Sequence, residues 1–176
     1  MPPALPFILS TLHDTDPAKF RQYLRVSPRT FDQLVEAVEG DRKFQNNARN
    51  EQMPVTYQVA IVLYRFGHYG NAVSLDKVAS WAGVGKGTVN EVTRRVLTAF
   101  LRKSFRDAAL GMPTAEEKEE AKQWVEEHSC HAWREGWCMV DGTLVPLYHR
   151  PYWFGESYFD RKCRYSLNFQ ASSDLL

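Results

Sequence analysis

The hydrophobic pattern of this chain changes its period once, at Gly136. Before that glycine, apolar residues recur three and four positions apart, the spacing that lines one face of an α-helix. After it they run in short continuous or alternating stretches, the spacing of β-strands. This order predicts an α+β protein with helices first and strands last.

Within the helical part, Ser27-Pro28 opens a helix, because serine can cap the first amides and proline suits the first helical position. Phe31, Leu34, Val35 and Val38 form its stripe, and Gly40 stops it. A shorter helix over residues 17–24 precedes it, and the polar, asparagine-rich residues 41–52 read as a loop. Residues 54–66 are apolar on most sides, which predicts the central helix of a bundle, ended by Gly67 and Gly70. Ser74 then caps a helix that buries Leu75, Val78, Ala79 and Ala82. Gly83-Val84-Gly85 breaks it, and a second helix from Lys86 presents Val89, Val92, Val96 and Phe100 on one face. Gly111-Met112-Pro113 punctuates the chain, and Thr114 with Glu117 marks the capping box of an acidic helix.

The net charge of +1 hides a segregated arrangement. Residues 84–106 carry six basic residues against one acid, a local +5, and residues 114–127 carry six acids against two lysines, a local −4. No apolar run approaches the ~20 residues that a membrane helix needs, so no membrane partner is expected. The opening MPPALPFILSTLHD lacks the basic start of a signal peptide. Cys130, Cys138 and Cys163 are odd in number and form no CxxC pair, which suits a reducing compartment. His128, Cys130, His131 and Cys138 match no structural zinc spacing.

The two helices around Gly83 have the layout of a helix-turn-helix, over about residues 74–103. Such a motif lays its second helix in the major groove of DNA, with that helix's first residues near base edges. Lys86, Thr88, Asn90 and Glu91 are then the candidates for base edges, and Arg94 and Arg95 for phosphates. The plainer alternative is a two-helix packing unit whose basic face is solvated.

In the last part, Trp137-Cys138-Met139-Val140, Leu144-Val145-Pro146-Leu147 and Tyr165-Ser166-Leu167-Asn168-Phe169-Gln170 predict three strands in an antiparallel meander. Asp141 falls at the end of the first. Asp141-Gly142 between two apolar runs is a hairpin signal. An aspartate at a strand end also suits a nuclease that cuts phosphodiesters with two Mg²⁺ ions, which prefer oxygen ligands. One aspartate cannot hold such a pair; at least two more acids are needed. Arg161 and Lys162, in the basic loop that follows, are candidates to grip a DNA backbone. Asp160 is expected to pair with Arg161 or Arg164. Tyr152, Trp153, Phe154, Tyr158 and Phe159 are expected to pack the loop onto the sheet.

The longer string runs Val140-Asp141-Gly142-Thr143-Leu144-Val145-Pro146-Leu147, then Arg150-Pro151, then Tyr158-Phe159-Asp160-Arg161-Lys162, then Tyr165 to Gln170. It resembles the opening of the catalytic domain in PIF/Harbinger-type DDE transposases. The pattern from Gly70 to Val89 is similar to the helical region ahead of that domain, so the resemblance covers about residues 31–170. Leu144 stands where many relatives carry histidine. The resemblance implies an RNase H-like fold, a three-carboxylate site for Mg²⁺ or Mn²⁺, cutting and joining of DNA, and a nuclear location. Asp141 maps to the first carboxylate; the other two positions fall beyond Leu176, and Asp174 maps to none of them.

The organisation expected is a helical region over 1–110, a linker with an acidic helix over 111–135, and an incomplete nuclease domain over 136–176. Three strands cannot bury both faces of an RNase H-like sheet. The chain is therefore expected to be an amino-terminal fragment, inactive alone, with at most a weak metal site. DNA is the expected partner, with a second copy or an accessory DNA-binding protein beside it. The competing expectation is a non-enzymatic helix-turn-helix module that binds DNA through residues 27–106.

Overall fold

The helical and alternating parts fold into two compact units, Met1–Gly111 and Met112–Leu176. The computed structural model describes residues 2–45, 52–69 and 73–174, with the backbone alone for 171–174. The architecture is α+β, helical in the first unit and carrying an antiparallel sheet in the second. Among the described residues, no helix is long and apolar enough to cross a membrane.

In the first unit, α1 (Ala4–Phe7) runs through a π-helical turn (Ile8–Leu12) into α2 (His13–Thr15). There follow α3 (Pro17–Leu24), α4 (Pro28–Glu39), α5 (Val55–Phe66), α6 (Leu75–Ala82), α7 (Lys86–Phe100) and α8 (Lys103–Ala109). The Asp16 carboxylate caps α3 and the Ser27 hydroxyl caps α4, each accepting from a backbone amide three residues on, at 2.9 and 3.1 Å. The first helical stretch is not expected from the sequence, yet Leu5, Ile8 and Leu12 follow helical spacing and are all buried.

The core centres on α5, where Val59, Ala60, Ile61 and Val62 are consecutive and fully buried. Burial on every side is what a uniformly apolar helix requires. Phe20 and Phe31 meet edge to face at 5.5 Å, tying α3 to α4. Each such side chain taken from water contributes roughly 1.5–3 kcal/mol. Residues 41–52 are only partly described: Arg42–Phe44 makes a 3₁₀ turn, and 46–51 lie outside the described residues, as does Gly70.

In the second unit, Thr114 and Glu117 close a reciprocal capping box on α9 (Ala115–His128), at 3.2 and 2.7 Å. Its acids are gathered by Arg134, which pairs with Glu119 and with Glu126, and Lys122 meets Glu135 at 2.6 Å. Then β1 (Cys138–Pro146) pairs with β2 (Ser166–Asp174) in nine unbroken antiparallel steps. The meander of three strands is thus corrected to two: the first two apolar runs form one strand. A two-residue hairpin at Asp141-Gly142 needs positive φ at the first position or at both. Neither Asp141 nor Gly142 is among the described residues with positive φ, so this pair is extended within β1. The local turn signal loses to a continuous ladder with Ala171 and Gln170 opposite.

Candidate nucleic-acid interface

The turn between α6 and α7 is set by Gly83, which adopts φ +73 and lets the chain reverse without strain. The Val84 amide donates back to the Ala79 carbonyl at 3.0 Å, the long bond of a Schellman motif. Gly85 then stands as N-cap of α7 without a side-chain cap, leaving the first amides of that helix open.

The rotation of α7 is fixed from inside. Val89, Val92, Thr93, Val96 and Ala99 are buried. The Thr93 hydroxyl donates to the Val89 carbonyl at 2.7 Å and accepts from Arg65 Nη1 at 2.9 Å, which locks α7 to α5. Tyr64 stacks on Trp81 at 3.8 Å and holds α6 to the same helix. Arg65 and Thr93 are positioning residues that sequence spacing does not reveal, since a buried hydroxyl and a basic residue give no periodic signal.

With that rotation, Lys86, Asn90 and Arg94 lie one turn apart on the exposed face, beside Glu91. Thr88 is half-buried. Lys86 Nζ pairs with Asp76 at 2.5 Å, but both groups are largely exposed, so the pair is weak and exchangeable. The Arg94 guanidinium has no partner among the described residues. Arg95 points elsewhere: it is half-buried, and the Gln52 amide oxygen accepts from its Nη1 at 2.7 Å in the orientation that satisfies both ends of that amide. Arg102 donates to Asp41 at 2.9 Å and holds that carboxyl below its usual range. Asp41, Asp76 and Asp107 thus offset much of the local +5 in space, and Arg94 is left as the uncommitted cation of the face.

Asp141 is not at a strand end. It sits in the middle of β1, exposed, and accepts from the Gly142 amide at 2.7 Å. The pairing register places it on one ribbon face with Met139, Thr143, Val145, Leu167 and Phe169. Among the described residues, no group of three or more His, Cys, Asp or Glu side chains is arranged to hold a metal ion. The side chain of Asp174 lies outside the described residues.

Asp160 partners Arg164, one of the two residues expected, but through that residue's backbone rather than a close contact with its guanidinium. It accepts from the buried Ser166 hydroxyl at 2.7 Å and from the Lys162 and Arg164 amides at 2.7 and 3.1 Å. These bonds, the hydroxyl foremost, hold its carboxyl below the ordinary range. The knot leaves Arg161, Lys162 and Arg164 exposed and without a close salt bridge among the described residues, Arg164 alone feeling the charge of Asp160. The aromatic loop is a second correction. Tyr152 is 91% exposed, Trp153 74% and Phe154 81%, so these rings do not pack the loop onto the sheet. The loop is held by polar contacts instead, which makes their packing unnecessary.

No family model matches the chain, and neither curated proteins nor solved structures give a significant match.

Proposed function

We propose that this chain is the DNA-binding, amino-terminal part of a PIF/Harbinger-type DDE transposase or a nuclease derived from one, holding duplex DNA through the open face of α7. The observation that carries the DNA-binding part of this reading is the row of Lys86, Asn90 and Arg94 on a helix whose opposite face is locked into the core; the lineage rests on the sequence resemblance. With α6 before it and a tight turn between, α7 serves as the recognition helix of a helix-turn-helix. A major groove about 12 Å wide admits such a helix. Lys86 and Asn90, near its start, face base edges, with Thr88 beside them, and Arg94 meets a phosphate. Arg95 is engaged by the Gln52 amide and is left out of this contact.

The lineage assigns the ribbon of β1 and β2 to the opening of an RNase H-like sheet, and Asp141 to one ligand of a Mg²⁺ or Mn²⁺ centre. The described residues do not make that centre by themselves: Asp141 is one carboxylate, its cross-strand neighbour is Ala171, and a two-ion site needs several acids. No cutting step is assigned to these residues, and the metal centre is what the lineage implies rather than what their geometry builds. A nuclear location, a second copy and an accessory DNA-binding protein follow from the same lineage. The α7 surface lies wholly within the first unit, so it serves a non-enzymatic DNA-binding module equally well.

The test is titration of a labelled duplex with the intact chain and with Arg94→Ala. Weaker binding by the variant is expected; the same affinity for both would remove α7 from the interface.

A further inference from the structure

We propose that the loop over residues 148–164 is a binding site for unpaired nucleotides, stacking their bases on exposed aromatic rings and holding their phosphates with Arg161, Lys162 and Arg164. This site stands on the second unit alone and does not depend on α7.

The loop is a built structure. The Leu147 amide donates to the Tyr165 carbonyl at 2.8 Å and closes its base. Arg150 pairs with Glu156 at 2.5 Å, lies 5.8 Å from the Tyr165 ring centre, and packs so closely on Gly155 that a Cβ there would meet its Nε at 2.5 Å. The Asp160 knot fixes the far side. Both acids of the loop are thereby committed, Glu156 to Arg150 and Asp160 to Ser166 and two amides.

None of this framework uses the rings of Tyr148, Tyr152, Trp153 or Phe154, which stand in solvent. Phe154 holds its backbone at φ +51, a region that bulky residues rarely adopt, and starts the 3₁₀ turn Gly155–Tyr158 while its ring faces outward. Beside this turn a cleft of about 550 Å³ opens between Tyr158, Phe159 and Arg161 on one side and Gly142 and Asn168 of the ribbon on the other. That is within the size range of a small-molecule site, and it adds the rings of Tyr158 and Phe159 beside Arg161 to the exposed rings of the loop.

The chemistry selects the occupant. An acidic peptide would satisfy the three cations and leave the rings wet; an apolar segment would cover the rings and strand the cations. Unpaired nucleotides carry a flat π face and a phosphate in every repeat, and aromatic side chains with a basic groove are the general means of holding them. A duplex keeps its base faces stacked inside, so the rings act only on a strand that is open.

The experiment measures anisotropy of labelled dT and rU oligonucleotides, and of a duplex, against the intact chain. The expected result is binding of the open strands that weakens roughly five- to 150-fold for each ring lost in Trp153→Ala and Phe154→Ala. Trp153→Phe retains most of the affinity, and Arg161→Ala with Lys162→Ala flattens the log–log salt slope by about 1.4. Because the rings are exposed, these variants keep the parent melting temperature. Affinity for dT and rU alike supports a sugar-blind stacking site, and preference for one identifies the source of the strand. Arg94→Ala is expected to weaken duplex binding and leave oligonucleotide binding intact. The site is overturned if the open strands do not bind, if removing the rings leaves binding unchanged, or if the rings capture a protein partner instead.

Discussion

Replacing Gly83 by alanine tests how the turn before α7 is held. Two costs are separable in the structure. The first is conformational: φ is +73, where a side chain costs roughly 1–2 kcal/mol. The second is steric: an added Cβ would lie 2.4 Å from Pro3 Cγ and 2.8 Å from Pro3 Cβ, which forces the start of α1 off α6. Overpacking of this kind costs about 1–3 kcal/mol, at the low end here because Pro3 is exposed and can move. The stiffer unfolded chain offsets about 0.4–1 kcal/mol. Gly83→Ala should therefore destabilise the first unit by about 1–3 kcal/mol, read from urea unfolding followed by circular dichroism. Pro3→Gly in the same background removes the steric share alone, so a double-mutant cycle should show a coupling of about 1 kcal/mol. Full additivity would mean that Pro3 and Gly83 are not in contact, and an unchanged midpoint in Gly83→Ala would refute the left-handed turn.

Two further outcomes follow from named contacts. His13 bridges Asp14 at 2.5 Å and Asp32 of α4 at 3.0 Å, and its pKa is raised above 6.5, chiefly by the hydrogen bond to Asp14. The stabilisation is complete below the unfolded value of 6.5 and is lost as pH rises through the folded pKa, so the melting temperature should fall from pH 6 to pH 8 in the parent and less so in His13→Gln. Thr114→Ala removes one half of the capping box and should cost the second unit about 1 kcal/mol, with early loss of α9 helicity on heating; a parent-like melt would show that the box carries no load.

Much of the first unit was legible because its signals are local. Ser27-Pro28, the stripe Phe31–Val35–Val38 and the Gly83 stop each act within one or two turns, and the core did not override them. The helix over Leu5, Ile8 and Leu12 escaped because its proline-flanked start masks a correct helical spacing. The ribbon was misdivided for the opposite reason. Asp141-Gly142 is a turn signal at short range, but the decisive partners, Ala171 and Gln170, lie across a long loop. At the candidate interface, Lys86, Asn90 and Arg94 were readable from helical phase. Charge counting could not tell that Asp41 and Gln52 occupy Arg102 and Arg95, because those contacts join residues far apart in sequence. Nor could residue type tell that Trp153 and Phe154 face water: a polar framework around Arg150 and Asp160 took over the packing.

The salt dependence of duplex binding by the intact chain bears most directly on the role of α7. Each phosphate contact adds about 0.9 to the slope of log affinity against log salt. Arg94→Ala should lower that slope by about one contact, whereas Arg95→Ala, whose guanidinium is turned toward Gln52, should leave it near the parent value. Identical slopes for the parent and Arg94→Ala would contradict the assignment of this helix to DNA.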